Sequence, residues 1–356
     1  MGRYTGICAA QQGAVNDSLG LAKTVTLGKP LVMSRLAAFI LPDRFIAVLL
    51  VTVALAALLP VRGEALALLG HVSTATIVAL FFVHGARLGR DAVLGGFTRL
   101  QLHGAVLAMT FVAFPIAGFL IAWLFAPVIG ATLTPGLLFL CALPSTVASS
   151  IAAVSMARGH VAASVVAAAL SNMAGVVLTP LIFALLVSAA GAPFGLGAIG
   201  KVLLMLALPF ALGQIARPLI GPLIEAHPVV AKSLDRLTIL LAAYVALSAA
   251  AGGGLLGAID AGEYATLALF MFGLLALAIA TALAAGHALG FDHGDRMVLL
   301  FNGIQKSAVS GAPMARIFFP GAEAGLIIVP LLIYYIPMLT ISAIMAARFG
   351  AIRETR

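Results

Sequence analysis

The chain has 356 residues, 63% hydrophobic and 9% charged, and its 20 Lys and Arg against 12 Asp and Glu give a formal net charge of +8. An ordinary soluble domain carries about 25% charged residues, so this sequence lacks the side chains to cover a water-facing surface, and the two soluble domains that its length would allow are excluded. Lipid is its solvent: backbone polar groups must find internal partners there, and apolar runs too long for strands and without alternation read as helices.

Taken from the start, residues 1–32 stand apart. They are mildly apolar, mix Gln, Asn, Asp and Lys, and hold neither a spanning run nor the continuous apolar stretch of a signal peptide. They are expected to form a disordered extension or to precede the true start, since Met33-Ser-Arg begins a natural membrane protein. A helix needs about 20 apolar residues to cross the hydrocarbon core. Ten runs approach that length, at about 45–61, 68–87, 101–126, 133–157, 160–188, 196–216, 233–251, 264–288, 296–318 and 323–348.

The basic residues punctuate these runs and form no face or stripe, which argues for membrane topology and against nucleic acid. With a cytoplasmic N-terminus, sixteen Lys and Arg fall in inside segments and three, Arg62, Lys201 and Arg316, in outside ones. Both termini are therefore expected in the cytoplasm of a bacterial-type plasma membrane. Ten spans divide into two sets of five, residues 33–190 and 191–356, and an odd number makes the second set enter from the opposite side. That is the arithmetic of an inverted-topology repeat. Two cysteines, Cys8 and Cys141, make no disulfide framework.

Polar residues interrupt the fourth span of each set. In the first, Leu140-Cys-Ala-Leu-Pro-Ser-Thr-Val-Ala-Ser-Ser-Ile151 surrounds Pro144, which removes a backbone donor, with Ser145, Thr146, Ser149 and Ser150. Taken alone, this is equally a binding site at an unwound segment or a proline kink patched by hydroxyls. The ninth span shifts the balance. Phe301-Asn-Gly-Ile-Gln-Lys-Ser-Ala-Val-Ser310 carries Asn302, Gln305, Lys306, Ser307 and Ser310 between apolar flanks. A lysine near the midplane costs roughly 2.5–3.5 kcal/mol on insertion scales and faces a bundle interior or cavity. Lys306 is about ten residues from either end of its span, too deep to snorkel easily.

Weaker candidates follow. His84 and His103 near span ends read as structural, Asn172 as a polar-cluster member or a helix–helix hydrogen bond. Gln214 and Arg217 are expected to end the sixth span, with Arg217 as an anchor. Asp292, His293 and Asp295 look like a metal cluster but fall in a short loop where solvation is simpler. Arg316 and Glu323 flank a turn and are expected to pair at the surface.

Several segments together resemble the bile acid:sodium symporter superfamily, in its SBF-like branch. They are Gly303-Ile-Gln-Lys-Ser-Ala, Gly311-Ala-Pro-Met-Ala, Phe319-Pro-Gly-Ala, Phe81-Phe-Val-His-Gly-Ala-Arg-Leu88, Phe111-Val-Ala-Phe-Pro115, Leu178-Thr-Pro180 and Leu208-Pro-Phe-Ala-Leu-Gly-Gln214. The matches run in order from about Leu41 to Phe349. The resemblance implies an all-α polytopic membrane protein of ten helices in two five-helix inverted repeats, sorted into a panel and a core domain. The fourth and ninth helices would unwind and cross, and a small organic anion would be carried by alternating access. It also implies departures. Where the sodium-dependent branch has a glutamate at the ninth-span crossover, this chain has Phe301; its glutamine is matched by Gln305 and its asparagine by Lys306. A third-span glutamine aligns with Thr110, a Ser-Asn pair with Ser149 and Ser150, and two fifth-span hydroxyls with Ser164 and Ala168.

Sodium wants oxygen ligands and anionic compensation, and a shared carboxylate is lost here. The Lys306 ammonium is therefore expected to fill the region of a sodium ion, donating to hydroxyls and carbonyls, and to face an anionic substrate. Burial disfavours a charged lysine in general, so proton exchange is a second route to coupling. No other cofactor is expected than Na+ or H+ as coupling ion. The expected partners are a small organic anion and the lipid bilayer. No filter-like motif of a channel, no membrane-embedded Asp or Glu, no HExxH and no nucleotide-binding loop is present. A secondary transporter and not an enzyme is the expectation; a non-transporting regulator of ion homeostasis on the same fold is the alternative.

Overall fold

The computed structural model describes residues 44–87, 99–191, 196–319 and 321–352. The N-terminal segment 1–32 lies outside the described residues. Among those described, every regular element is helical: α1 (Arg44–Leu58), α2 (Gly63–Arg87), α3 (Leu100–Ala108), a π-helical turn (Met109–Ala113), α4 (Phe114–Ile129), α5 (Thr134–Ala142), α6 (Ala148–Met156), α7 (Val161–Ala189), α8 (Leu196–Ala226), α9 (Pro228–Gly252), α10 (Ala261–Ala288), α11 (His293–Ile304), α12 (Ala308–Phe318) and α13 (Glu323–Ile352). Among the described residues, seven stretches are long and apolar enough to cross a membrane, one of them the continuous Leu100–Phe125. The chain is an integral, multi-pass membrane protein.

The expected runs at 133–157 and 296–318 are each two short helices, separated by Leu143–Val147 and by Gln305–Ser307. Other boundaries shift. The sixth run, expected to end near 216, continues as one helix to Ala226 through Pro209, Pro218 and Pro222. Gln214 and Arg217 therefore sit inside a helix and do not terminate it. Proline removes one donor and kinks a helix without necessarily ending it where neighbours hold the chain.

One group of helices is formed by α2 packed on α8 and α9, with α1 on α9. The α2–α8 crossing is close because Phe82-x-x-Gly85 and Phe210-x-x-Gly213 oppose one another. A Cβ at Gly85 would overlap the Phe210 carbonyl, and one at Gly213 the Phe82 carbonyl. Around the broken helices pack α3, α4, α7, α10 and α13. The α11 half meets α3, α6, α7 and α10, whereas the α12 half packs on α9, α8, α2 and α13. An aromatic cluster of Phe139, Phe183, Phe318 and Phe319 fixes the end of α12, with ring centroids 5.3–6.4 Å apart.

Candidate functional site

The two breaks meet. Each begins where a helix gives way to extended backbone, at Leu143 (ψ 149°) after α5 and at Gln305 (ψ 135°) after α11. The Ser307 N–H donates to the Pro144 carbonyl at 2.9 Å, joining main chain to main chain. Side chains add to it: the Thr146 and Ser149 hydroxyls donate to Gln305 Oε1 at 2.6 and 2.7 Å.

Lys306 is fully buried at this junction. Its Nζ donates to the carbonyls of Thr110, Cys141 and Leu143 at 3.0, 3.0 and 2.8 Å. An ammonium has three N–H donors and no acceptor, and here all three are used. The same Nζ lies 4.2 Å from the Phe114 ring centroid, a cation–π contact that strengthens where water is excluded. No carboxylate among the described residues pairs with it. Burying an ammonium carries a penalty of several kcal/mol, and hydrogen bonds to a charged group return about 1.5–3 kcal/mol each. The terms are of similar size, so the site tolerates the charge only with the full set of acceptors.

Local sequence explains why those carbonyls are free. In the π turn the Phe114 N–H bonds the Met109 carbonyl, five residues back. Residue 115 is proline and has no N–H to offer the Thr110 carbonyl. That carbonyl thus lacks its i+5 donor and accepts from Lys306. In the first break, the Ser145 N–H, the ordinary α-helical partner of the Cys141 carbonyl, is diverted to Ser171 Oγ at 3.0 Å. The Thr110 hydroxyl bonds the Val106 carbonyl of its own helix. The residue that the resemblance singles out thus meets Lys306 through its carbonyl and not through its hydroxyl.

The remaining site candidates gather around this junction with differing roles. The Ser145 carbonyl accepts from Asn172 Nδ2 at 2.9 Å, while the Ser145 hydroxyl reaches only the Thr146 carbonyl at 3.4 Å. Ser150 donates back to the Thr146 and Val147 carbonyls of its own segment, so its hydroxyl does not bridge the breaks. Ser164 accepts from Asn302 Nδ2 at 2.8 Å. Ser310 donates to Asn172 Oδ1 at 3.2 Å, and its N–H is capped by Ser307 Oγ. Among the described residues, Asn302 Oδ1 on α11 and Gln305 Nε2, just past its end, are buried with no partner. Phe301 and Ala168 are fully buried.

Sequence reasoning missed the residues that hold the breaks from outside. Thr179 of α7 donates to the Ala142 carbonyl at 2.9 Å, and Tyr334 of α13 to the Ile304 carbonyl at 2.8 Å. Tyr334 also sets its ring edge-on against Phe114, 6.3 Å away. The Lys306 N–H points to Met338 Sδ at 3.2 Å. Pro115 was the available signal for the free Thr110 carbonyl; nothing local marks Thr179 or Tyr334.

The peripheral candidates sort differently. His84 Nε2 lies 3.2 Å from Asp235 Oδ1, with Arg87 at 3.6 Å from the same carboxylate, tying α2 to α9. His103 is buried with Nδ1 unpartnered. The Asp292, His293 and Asp295 triplet does not converge: His293 meets the Ala157 carbonyl, and His160 joins the two aspartates in its place. The Arg99 guanidinium pairs with Asp295 and lies 3.1 Å from His160 Nδ1, so this group is an ion-pair network about a side-chain cation. Asp292 caps α11 by accepting from the Asp295 N–H at 2.8 Å. That bond, helped by the charges of His160 and Arg99, holds its carboxyl below the usual range. Arg316 and Glu323 do not pair; Arg316 turns toward Gly70 on α2, where a Cβ would lie 3.4 Å from Nη2.

Residues 43–351 match the model of the SBF-like CPA transporter family. The chain is 39% identical over 315 residues to an uncharacterized protein of Pseudomonas aeruginosa, covering 88% of this chain and 95% of that one. It is 37% identical over 307 residues to a protein of Escherichia coli named "Putative symporter YfeH", covering 86% and 92%. A more distant relative, sodium/bile acid cotransporter 7-A of Xenopus laevis, is 27% identical over 297 residues, covering 79% and 85%. With two broken helices joined through Lys306 and a match over most of its length, the chain belongs to the SBF-like CPA transporter family.

Proposed function

We propose that this protein is a secondary active transporter that carries a small organic anion by alternating access, with the Lys306 ammonium in place of a bound coupling cation. The observation that carries the reading is the coordination of Nζ, from the second broken segment, by two main-chain carbonyls of the first and one of a π turn. Main-chain oxygens of unwound segments are the groups that coordinate coupling ions in transporters with discontinuous helices. A tethered ammonium makes the same kind of contacts and does not leave. Phe301, buried beside the crossover, supplies no carboxylate to balance a second cation.

The fold reading that accompanies this has ten crossings in two inverted repeats, residues 33–190 and 191–356, with both termini cytoplasmic in a bacterial-type plasma membrane. It is supported by the matched treatment of the breaks: in each, the last helical carbonyl receives a hydroxyl from the long helix that follows. In the repeat scheme α1, α2, α8 and α9 form the panel, and the helices about the breaks form the core. The binding set is Ser145, Thr146, Ser149, Ser150, Ser164, Asn302, Gln305, Lys306, Ser307 and Ser310, with no metal and no cofactor beyond a transient Na+ or H+.

The test is uptake into proteoliposomes. A panel of organic anions, bile acids included because distant relatives carry that name, is offered under a sodium gradient, a proton gradient or neither. Sodium-independent uptake is expected, and Lys306→Asn should abolish it or make it respond to sodium. Uptake that requires sodium and is unchanged in Lys306→Asn would overturn the proposal. Absence of any flux, with Lys306 variants altering cellular ion homeostasis, would replace transport by a regulatory role.

A further inference from the structure

Helix α7 packs on α5, α6 and α11, three of the four half-helices of the broken spans. The face it turns to them carries residues 164, 168, 171, 175 and 179, whose spacings of four and three keep to one side of an α-helix. All five are buried. Along this face the first break is met in reverse order. Thr179 donates to the Ala142 carbonyl at 2.9 Å, Gly175 faces Pro144, and Ser171 Oγ accepts from the Ser145 N–H at 3.0 Å. Asn172, beside Ser171, donates to the Ser145 carbonyl at 2.9 Å and accepts from Ser310 of α12 at 3.2 Å. Ser164 accepts from Asn302 of α11 at 2.8 Å.

Gly175 is the tight point. A Cβ there would lie 2.7 Å from Pro144 Cβ and 2.9 Å from Pro144 Cγ. Those atoms belong to a ring closed on its own backbone, so they cannot turn aside unless the main chain moves. A glycine inside a helix costs stability relative to alanine, and here that cost makes room for the Pro144 ring.

The alternative course for Leu143–Val147 is to continue the helix. The Ser145 N–H would then return to the Cys141 carbonyl and the Thr146 N–H to the Ala142 carbonyl. The first of these bonds would compete with Lys306 for its acceptor. α7 holds one member of each pair, the donor through Ser171 and the acceptor through Thr179.

We propose that this face of α7, with Gly175 at its centre, is a template that keeps the first break unwound and thereby sets the Cys141 and Leu143 carbonyls on Lys306. Gly175, Ser171 and Thr179 are positioning residues, acting on Nζ through the main chain of the break. The inference rests on the reading of Lys306 as the cation of the crossover. Its test needs no flux, so it fails or stands apart from the uptake experiment.

The full chain is unfolded by heat in a fixed detergent, with Gly175→Ala made in wild type and in Lys306→Met. On helix propensity alone, alanine would raise the midpoint. The template instead predicts a fall of about 3 °C in wild type, because Pro144 and the carbonyls before it are displaced. With Lys306→Met nothing requires those carbonyls in place, and the fall should shrink to less than about half. Ser171→Ala should show the same contrast, and it decides if Gly175→Ala does not fold. A raised midpoint in Gly175→Ala would overturn the proposal. So would equal falls in the two backgrounds, which would make this face a packing surface indifferent to Lys306. Should Lys306→Met not fold, labelling of Lys306 by a small amine-reactive ester, read by mass spectrometry, takes its place. Gly175→Ala should speed that labelling roughly threefold relative to the exposed Lys232, and an unchanged ratio would overturn the proposal.

Discussion

In the first break the helix ends at Ala142, then runs through an extended Leu143 into a proline; in the second it ends at Ile304, then runs through an extended Gln305 into a lysine. The Ala142 and Ile304 carbonyls, the last of each half-helix, are held by Thr179 and Tyr334 of the long helix that follows. The next available N–H is also taken from outside, Ser145 by Ser171 and Lys306 by Met338. The difference lies in what each break has left over. Pro144 opens its helix by withholding a donor, which leaves the first break rich in acceptors. Lys306 adds donors and needs acceptors. The two breaks are complementary because they are unlike: two carbonyls of the first, with that of Thr110 in the π turn, make the charge in the second tolerable.

The largest effect should come from removing the donors. Lys306→Met leaves the Thr110, Cys141 and Leu143 carbonyls buried without partners, at about 1–3 kcal/mol for each, against which stands the relief of the ammonium's own burial penalty; a net loss of stability is expected. The measurement is thermal or denaturant unfolding of the purified chain in a fixed detergent. Pro144→Ala provides the contrast: it restores one N–H and should change stability by much less. Equal unfolding of Lys306→Met and wild type would break the comparison, since the carbonyls would then not depend on the ammonium.

Next in size are the two hydroxyl supports. Thr179→Val and Tyr334→Phe each remove a donor from a buried carbonyl and keep the side chain's approximate shape, with an expected cost of about 1–3 kcal/mol apiece. The two losses should be alike. A clear cost in one and none in the other would show that only one break is held from the following helix.

How far this was legible follows from which signals are local. Span lengths, the two interruptions and the depth of Lys306 are all carried by contiguous residues, and the structure brings all ten named site residues to the junction or its immediate rim. The atoms that hold Lys306 were not legible. The Thr110 side chain invites attention, yet its carbonyl makes the contact, because Pro115 and the π turn leave that oxygen free. Thr179 and Tyr334 are separated from their partners by 37 and 30 residues, and periodicity does not report such pairs. Arg316 was expected to meet Glu323 because the two flank one turn. Side-chain direction, not sequence distance, decided otherwise.

The smallest predicted effect concerns the N-caps of the two halves of the broken ninth segment. α11 is capped by Asp292, which accepts from the Asp295 N–H at 2.8 Å, and α12 by Ser307, which accepts from the Ser310 N–H at 3.2 Å. Both do the same work, but only one titrates. The Asp292 carboxyl is held below its ordinary value, first by that N–H and then by His160 and Arg99. A group depressed in the folded state contributes stability above its unfolded value, near pH 4, and loses it as pH falls through the folded value. Unfolding followed from pH 7 to pH 3 should therefore show an acid-side loss that Asp292→Asn flattens. Because Asp292 is largely exposed, solvent screening keeps the loss small. Ser307→Ala should instead cost about 1 kcal/mol at every pH. An acid-side loss that Asp292→Asn leaves intact would overturn the assignment of that loss to this cap.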